Sequence, residues 1–377
     1  MSEVSASVTV VIPCLNEAET IAECVRRACA AVVRFGDGAE VLVVDNASDD
    51  GSAQLARDAG ARVISEPRRG YGSAYLAGFA AAEGEYLVMI DADLTYDFSE
   101  IPRFIAALDE GSDFVIGNRL AGVQPGAMGV LSRIGNPILS GLLNLLYRTP
   151  VGDAHCGLRA IRRDVLPTLA LNSTGMEFAS EMVIRAAKAG LRFRELPIEL
   201  HVRGGRSKLS PFRDGWRHLR LMLVYSPGFL FILPGALMVA IGILIELTVF
   251  AHVTVFGRGW YIHTAIVGSA LWIVGLQVFG LGLCGRAYGV YVLGSTDPMF
   301  DRMRKHFRLE HGLLLGTLLA FTGVGVGAVI VGQWISRGFG TLAEEQLAVL
   351  AVTLVVGGIQ VFFTSFLLSM LGLRRVR

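Results

Sequence analysis

Four stretches leave this chain little freedom in how it can be built: Phe229 to Phe250, Ala265 to Cys284, Gly312 to Gly332 and Leu347 to Leu371. Each is long enough to cross a bilayer as a helix, for which ~20 apolar residues suffice. A soluble core helix would carry a polar stripe, and these stretches carry none. Only Glu246, Gln277 and Gln360 interrupt them. A hydrophobic content of 53% and a mean hydropathy of +0.52 are likewise too high for an ordinary soluble protein.

Loop charge then predicts orientation. Arg213, Arg217 and Arg220 precede the first span. Arg286, Arg302, Arg304, Lys305 and Arg308 separate the second from the third, and Arg374, Arg375 and Arg377 follow the last. The other two loops carry one arginine each, Arg258 and Arg337. Both termini are therefore expected on the cytoplasmic side of an inner or plasma membrane. The short, polar Met1–Ser7 segment lacks the charged-then-apolar pattern expected of a signal peptide. Leu209 to Tyr225, basic and aromatic, reads as an amphipathic helix at the membrane surface. The expected division is a soluble domain over 1–208, a juxtamembrane segment over 209–228 and a four-helix membrane domain over 229–377.

The soluble part alternates strand and helix patterns with short links. Val8 to Ile12, Glu40 to Val44, Arg62 to Ser65, Tyr86 to Ile90 and Asp113 to Gly117 read as strands. Helical patterns run from Ile21, through Ala59, over Ser73 to Ala82 and over Ile101 to Leu108. That is the pattern of a doubly wound α/β fold with a mostly parallel sheet. Beyond Arg119, helices are expected over Asn136–Tyr147 and Gly175–Ala189, and a strand over Leu191–Leu200. The five cysteines have no zinc spacing and read as free thiols in a reducing compartment. A net charge of +1 gives no support to nucleic-acid binding.

The chemistry centres on Asp91-Ala92-Asp93, directly after the most apolar strand. Residues two apart on an extended chain point the same way, so both carboxylates should converge beyond the strand end, where open α/β sheets bind ligands. Two close anions want a cation between them. Mg²⁺ or Mn²⁺ held partly by phosphate oxygens suits such a pair. The glycine cradle G-x-G-x-x-G is missing: after Gly70-Tyr71-Gly72, position 75 is Tyr. Asp45, ending the second strand, could accept from a base or a ribose. Arg119, Arg133, Arg159, Arg203, Arg206 and Lys208 could bind phosphate. A nucleoside diphosphate sugar fits the carboxylates, and a lipid phosphate would use the arginines.

Six motifs in this order resemble those of glycosyltransferase family 2, specifically the polyprenyl-phosphate hexose synthases. They are Val11-Ile12-Pro13-Cys14-Leu15-Asn16-Glu17-Ala18-Glu19, Val43-Val44-Asp45-Asn46 through Ser52, Asp91-Ala92-Asp93-Leu94, Gly117-Asn118-Arg119, Gly157-Leu158-Arg159-Ala160 and Gly205-Arg206-Ser207-Lys208-Leu209. The resemblance covers the first ~225 residues. It implies a GT-A fold and inverting hexose transfer from UDP-glucose or GDP-mannose to an undecaprenyl or dolichyl phosphate, beside the bilayer and without a covalent enzyme intermediate. It implies that Pro13, Leu15, Glu17, Val44, Asp45, Asn46, Asp91, Ala92, Asp93, Arg206 and Lys208 bind the donor. Asp91, Asp93, Arg119 and Asp153 become the catalytic candidates; Arg119, Arg133 and Asn136 the acceptor-phosphate candidates; and Asp91, Asp93 and Thr95 (or Asp97) the ligands of Mg²⁺ or Mn²⁺. Thr95 stands where the mannose synthases have Gln, and His155-Cys156 where small residues are more usual. A homo-oligomer is open. Two rival readings are a haloacid-dehalogenase-type phosphatase with Asp91 phosphorylated in a D-x-D-x-T motif, and a non-enzymatic transporter or scaffold.

Overall fold

A computed structural model describes residues 7–204, 211–255, 258–291, 297–340 and 344–372. The chain divides into two compact units, Met1–Met222 and Leu223–Arg377.

In the first unit the elements run β1 (Val8–Cys14), α1 (Ile21–Val32), β2 (Ala39–Asp45), α2 (Ser52–Asp58), β3 (Arg62–Ser65), α3 (Tyr71–Ala81), β4 (Tyr86–Met89) and α4 (Ile101–Asp109). There follow β5 (Phe114–Val123), α5 (Val130–Tyr147), β6 (Arg159–Arg162), the single turn α6 (Leu166–Leu169), α7 (Phe178–Lys188), β7 (Phe193–Leu200) and α8 (Pro211–Val224). One sheet collects the seven strands in the order β3-β2-β1-β4-β6-β5-β7. All pairings are parallel except those of β6, which lies antiparallel between β4 and β5.

The central strands are apolar because both faces are covered. Val8, Val10, Val11 and Ile12 of β1 and Leu87 and Val88 of β4 are fully buried, and each such side chain contributes about 1.5–3 kcal/mol. The pattern missed β6, whose sequence Arg-Ala-Ile-Arg has no apolar run. It also placed the start of α5 too late, since Pro137 lies inside that helix. Pro197 is accommodated because β7 is an edge strand. β1 has β2 on one side and β4 on the other, so the chain reverses its direction of winding there. In such sheets a crevice opens beyond the carboxyl ends at that switch point. The segments following β1 and β4 begin with Leu15 and Ile90, which puts Glu17 and Asp91 at the crevice.

The second unit contains α9 (Leu233–Phe250), entered through a π-helical turn at Gly228–Ile232, and a small hairpin of β8 (Thr254–Val255) and β9 (Arg258–Gly259). Then come α10 (Ile262–Tyr291), α11 (Pro298–His306), α12 (Leu309–Ser336) and α13 (Glu345–Gly372). Four helices, Gly228–Phe250, Ile262–Tyr291, Leu309–Ser336 and Glu345–Gly372, are long and apolar enough to cross a membrane. Small residues let them approach closely, as membrane helix packing favours. A Cβ added at Gly242 would lie 2.6 Å from the Gly268 carbonyl oxygen, and one at Gly316 2.7 Å from that of Gly358.

Candidate active site

The loops after β1 and β2 are locked to each other. The Asn16 N–H donates to Ser48 Oγ at 3.0 Å, that of Glu17 to Ser52 Oγ at 2.9 Å, and that of Ala18 to Asp50 Oδ2 at 3.0 Å. Asn16 and Ala47 sit at φ of 52° and 63° to make these turns. On the far side, Thr20 Oγ1 donates to the Ala92 carbonyl at 2.6 Å, pinning the Asp91–Asp93 turn to the start of α1. These contacts form one wall of a cavity of about 390 Å³, which Pro13, Leu15, Glu17, Asn46, Asp91, Ala92 and Asp93 all line.

Asp91 and Asp93 thus meet in one cleft. Burial, together with the Asp93 carboxylate, pushes the Asp91 carboxyl up to about 7, although Tyr71, Arg119 and Arg203 act in the opposite direction. Tyr71 Oη donates to Asp91 Oδ1 at 3.2 Å. Gly157 presses against the same carboxylate, since a Cβ there would lie 2.4 Å from Asp91 Oδ2. Two carboxylates this close, one of them buried enough to resist ionisation, form a site that a divalent cation suits. Among the described residues no third His, Cys, Asp or Glu joins the two, so a metal would draw its remaining ligands from phosphate and water.

Thr95 stands behind Asp93. Its N–H and Oγ1 both bond Asp93 Oδ1, at 3.1 and 2.5 Å, which orients that carboxylate; Thr95 itself does not line the cavity. Asp97 is exposed and caps the next turn through the Ser99 N–H at 2.9 Å. It does not line the cavity either.

The donor-side candidates divide. Asp45 is buried at the end of β2, accepts the Ser48 N–H at 3.4 Å and pairs in register with Cys14. Val44 is fully buried against α3, where a Cβ on Gly78 would lie 3.0 Å from Val44 Cγ2. It can offer only backbone. Asn46 spends its amide internally, donating to the Glu66 and Arg68 carbonyls at 2.9 and 2.8 Å and accepting the Gly70 N–H at 2.7 Å. It shapes the loop that carries Arg69 and Tyr71. Arg206 and Lys208 lie outside the described residues.

The basic candidates divide too. Arg119 forms a fork on Asp153, Nε to Oδ2 at 2.6 Å and Nη2 to Oδ1 at 2.8 Å, and Nη1 lies 3.3 Å from Tyr96 Oη. Asp153 is wholly buried, with both carboxylate oxygens on the Arg119 guanidinium. Arg159 is not a phosphate ligand: it is 1% exposed and donates to the Cys156, Ala179 and Ala154 carbonyls, each at 2.8 Å. Arg133 is exposed on α5 and Asn136 half-buried; neither lines the cavity.

Four arginines do line the cavity: Arg69, Arg203, Arg213 and Arg217. Arg203 bridges Asp93 Oδ2 at 3.2 Å and Glu17 Oε1 at 3.5 Å. Arg213 and Arg217 come from α8, which is held by Ser180 Oγ on His218 Nδ1 at 2.8 Å and by Tyr147 Oη donating to the Met222 carbonyl at 2.6 Å. Only Arg203 of these four was singled out from sequence as a phosphate binder. Arg213 and Arg217 were read as membrane-surface charges, and Tyr71 went unnoticed although its glycine-flanked loop was visible. Lys188 and Lys305, the lysines among the described residues, do not line the cavity, so among the described residues none supplies the lysine that a D-x-D-x-T phosphatase requires beside its phosphoaspartate.

Comparison with known proteins identifies the chain. Residues 9–169 match the model of glycosyl transferase family 2, and residues 283–372 that of the glycosyltransferase family 2 C-terminal transmembrane region. The low-salt glycan biosynthesis hexosyltransferase Agl6 of Haloferax volcanii is 39% identical over 98% of this chain and 90% of its own length. A dolichyl-phosphate hexose transferase from the same organism is 37% identical over 49% of this chain and 81% of its own. A solved glucosyl-3-phosphoglycerate synthase from Mycobacterium tuberculosis, in complex with Mg²⁺ and uridine diphosphate, is 22% identical with a TM-score of 0.49, covering 59% of this chain and 79% of that one. With its mostly parallel GT-A-type sheet and four apolar helices, the chain belongs to glycosyltransferase family 2 and is an integral-membrane glycosyltransferase.

Proposed function

We propose that the protein transfers a hexose, with inversion, from a nucleoside-diphosphate sugar to a polyprenyl phosphate at the cytoplasmic membrane face. The observation that carries this reading is the single cleft in which Asp91 and Asp93 face Arg69, Arg203, Arg213 and Arg217. Two carboxylates that want a cation, beside arginines that want phosphates, suit a diphosphate leaving group and an anionic acceptor. The names of the two Haloferax relatives, a hexosyltransferase and a dolichyl-phosphate hexose transferase, support the sugar and lipid classes.

Pro13, Leu15, Glu17 and Asp45 would receive the base and ribose, with Val44, Asn46 and Ala92 contributing backbone and loop shape. Asp91 and Asp93, the latter oriented by Thr95, would hold Mg²⁺ or Mn²⁺, which when bound neutralises the diphosphate. Arg203 guards the Asp93 side and meets the leaving phosphates. Arg119, held by Asp153, keeps its remaining N–H groups for the acceptor, with Arg133 and Asn136 further along its path. A phosphate monoester has its second pKa near ~6, so the acceptor oxygen is already largely ionised and attacks C1 without a strong general base. The rate then comes from holding two anions together. The soluble domain would cover 1–208, the juxtamembrane segment 209–228 and the membrane domain 229–377.

The test is a donor screen with purified full chain, Mg²⁺ or Mn²⁺ and a polyprenyl phosphate, read by the mass of the lipid product. We expect one UDP- or GDP-hexose to be used and Asp93→Ala to abolish product. Arg133→Ala should weaken use of the lipid more than binding of the nucleotide. Normal turnover by Asp93→Ala, or labelled phosphate trapped on Asp91, would refute the reading.

A further inference from the structure

The transfer chemistry makes no use of one cavity in the second unit. It measures about 550 Å³ and lies among the C-terminal half of α10, α11, the first turns of α12 and the C-terminal half of α13. Its wall is hydrocarbon: Leu276, Phe279, Leu283, Leu315 and Leu368 line it, over a packed base of Ala287, Val290 and Phe300. Its volume falls within the ~300–1,000 Å³ of ordinary ligand sites.

Against that hydrocarbon the cavity also presents polar groups. Arg304 and Arg308 both line it. The Arg304 guanidinium lies 5.7 Å from the Tyr291 ring centroid and 3.2 Å from Asp301 Oδ1, with 38% of the side chain exposed. Arg308 is exposed and has no carboxylate partner among the described residues. Thr364, Ser365 and Ser369 add hydroxyl groups along α13. Deeper, Gln360 Nε2 reaches Gln277 Oε1 at 3.4 Å, while Gln360 Oε1 is buried without a hydrogen-bond partner.

Bulk acyl chains would fill an apolar cavity of this kind but would leave Arg308 without an anion and Arg304 with Asp301 alone. A free anion would match the arginines but leave the wall empty. One chemistry answers both: a long hydrocarbon chain ending in a phosphate. We propose that the cavity between α10, α11, α12 and α13 is a lipid-phosphate site, separate from the transfer cleft, with the phosphate on Arg304 and Arg308 and the chain running toward Gln360. The proposal does not depend on the reading of that cleft, because every residue it uses lies in the second unit.

The test is retention of defined lipids by the full chain in detergent, measured by native mass spectrometry. Farnesyl phosphate, dioleoyl phosphatidate and inorganic phosphate are the probes. The readout is the binding lost on substitution rather than the total bound, so a second lipid in the transfer cleft does not interfere. Arg304→Gln with Arg308→Gln should lower retention of lipid phosphate at least tenfold, and Arg304→Lys with Arg308→Lys should keep most of it. Ser369→Trp, which fills the cavity but keeps both arginines, should displace the lipids and guards against misfolding of the double variant. Preference for farnesyl phosphate would identify a polyisoprenoid source, and preference for phosphatidate a bulk phospholipid. Equal affinity for inorganic phosphate, or retention unmoved by both the glutamine pair and Ser369→Trp, would overturn the proposal.

Discussion

Replacing Asp91 by Asn tests the central electrostatic claim about the cleft. Burial and the neighbouring Asp93 hold the Asp91 carboxyl at about 7, against 3.8 for a free aspartate. That difference corresponds to roughly 4 kcal/mol against the ionised form. Asp91 keeps some solvent contact, so about half, ~2 kcal/mol, is the sensible expectation. The sign follows from linkage. A carboxyl whose pKa is raised on folding adds stability that is fully present below the unfolded value and lost as pH rises through about 7. The wild-type protein without metal should therefore lose stability between about pH 4 and 7 through this group, and Asp91→Asn should not. For a domain of this size ~2 kcal/mol is about 4–8 °C in Tm. Thermal unfolding followed by intrinsic fluorescence, on the full chain in nanodiscs, should show the variant gaining that margin at pH 8.5 and little at about pH 4. Adding Mg²⁺ with a nucleoside diphosphate should restore the wild type at pH 8.5 and leave the variant unmoved. A gap independent of pH, or a wild type indifferent to Mg²⁺ and nucleotide, would refute the reasoning.

Other perturbations bear on the same region. Asp153→Ala leaves the buried Arg119 fork without its partner and should cost about 3–5 kcal/mol, and Arg119→Ala added to it should cost much less than the sum, as a double-mutant cycle on stability and turnover would show. Gly157→Ala forces a methyl group against Asp91 Oδ2, so it should reduce metal-dependent nucleotide binding by an order of magnitude while Tm changes little. Burial holds the His218 imidazole down at about 4, so its unfolded form takes up a proton first as pH falls. Stability should drop between pH 6.5 and 4, by up to about 3 kcal/mol, and limited proteolysis at α8 should increase in that window but not in a His218→Gln variant at matched stability.

Much of this architecture could be read directly because its signals are local. Apolar runs of bilayer length can only be helices in hydrocarbon, and the four spans fall where composition puts them. The βα alternation identified a mostly parallel sheet and put Asp91 and Asp93 beyond the end of a strand, where open α/β sheets bind ligands; that this end lies at the switch point came from the strand order. The antiparallel strand β6 was not legible, because Arg159–Arg162 owes its place to the strands on either side of it and not to its own residues.

The character of the carboxylate pair was therefore set by sequence alone: two aspartates two residues apart, after a fully buried strand, must converge and must want a cation. Which side chains answer them was decided only in three dimensions. Arg119, Arg159 and Arg203 look alike as letters. Folding commits Arg159 to three backbone carbonyls and Arg119 to Asp153, and leaves Arg203 on Asp93 in the cleft. It also brings Tyr71 from the start of α3, and Arg213 and Arg217 from a helix more than a hundred residues away in sequence. The physical reason is range: strand and span patterns are written in residues a few positions apart, whereas a guanidinium takes its role from whichever buried acceptor the tertiary fold brings within about 3 Å.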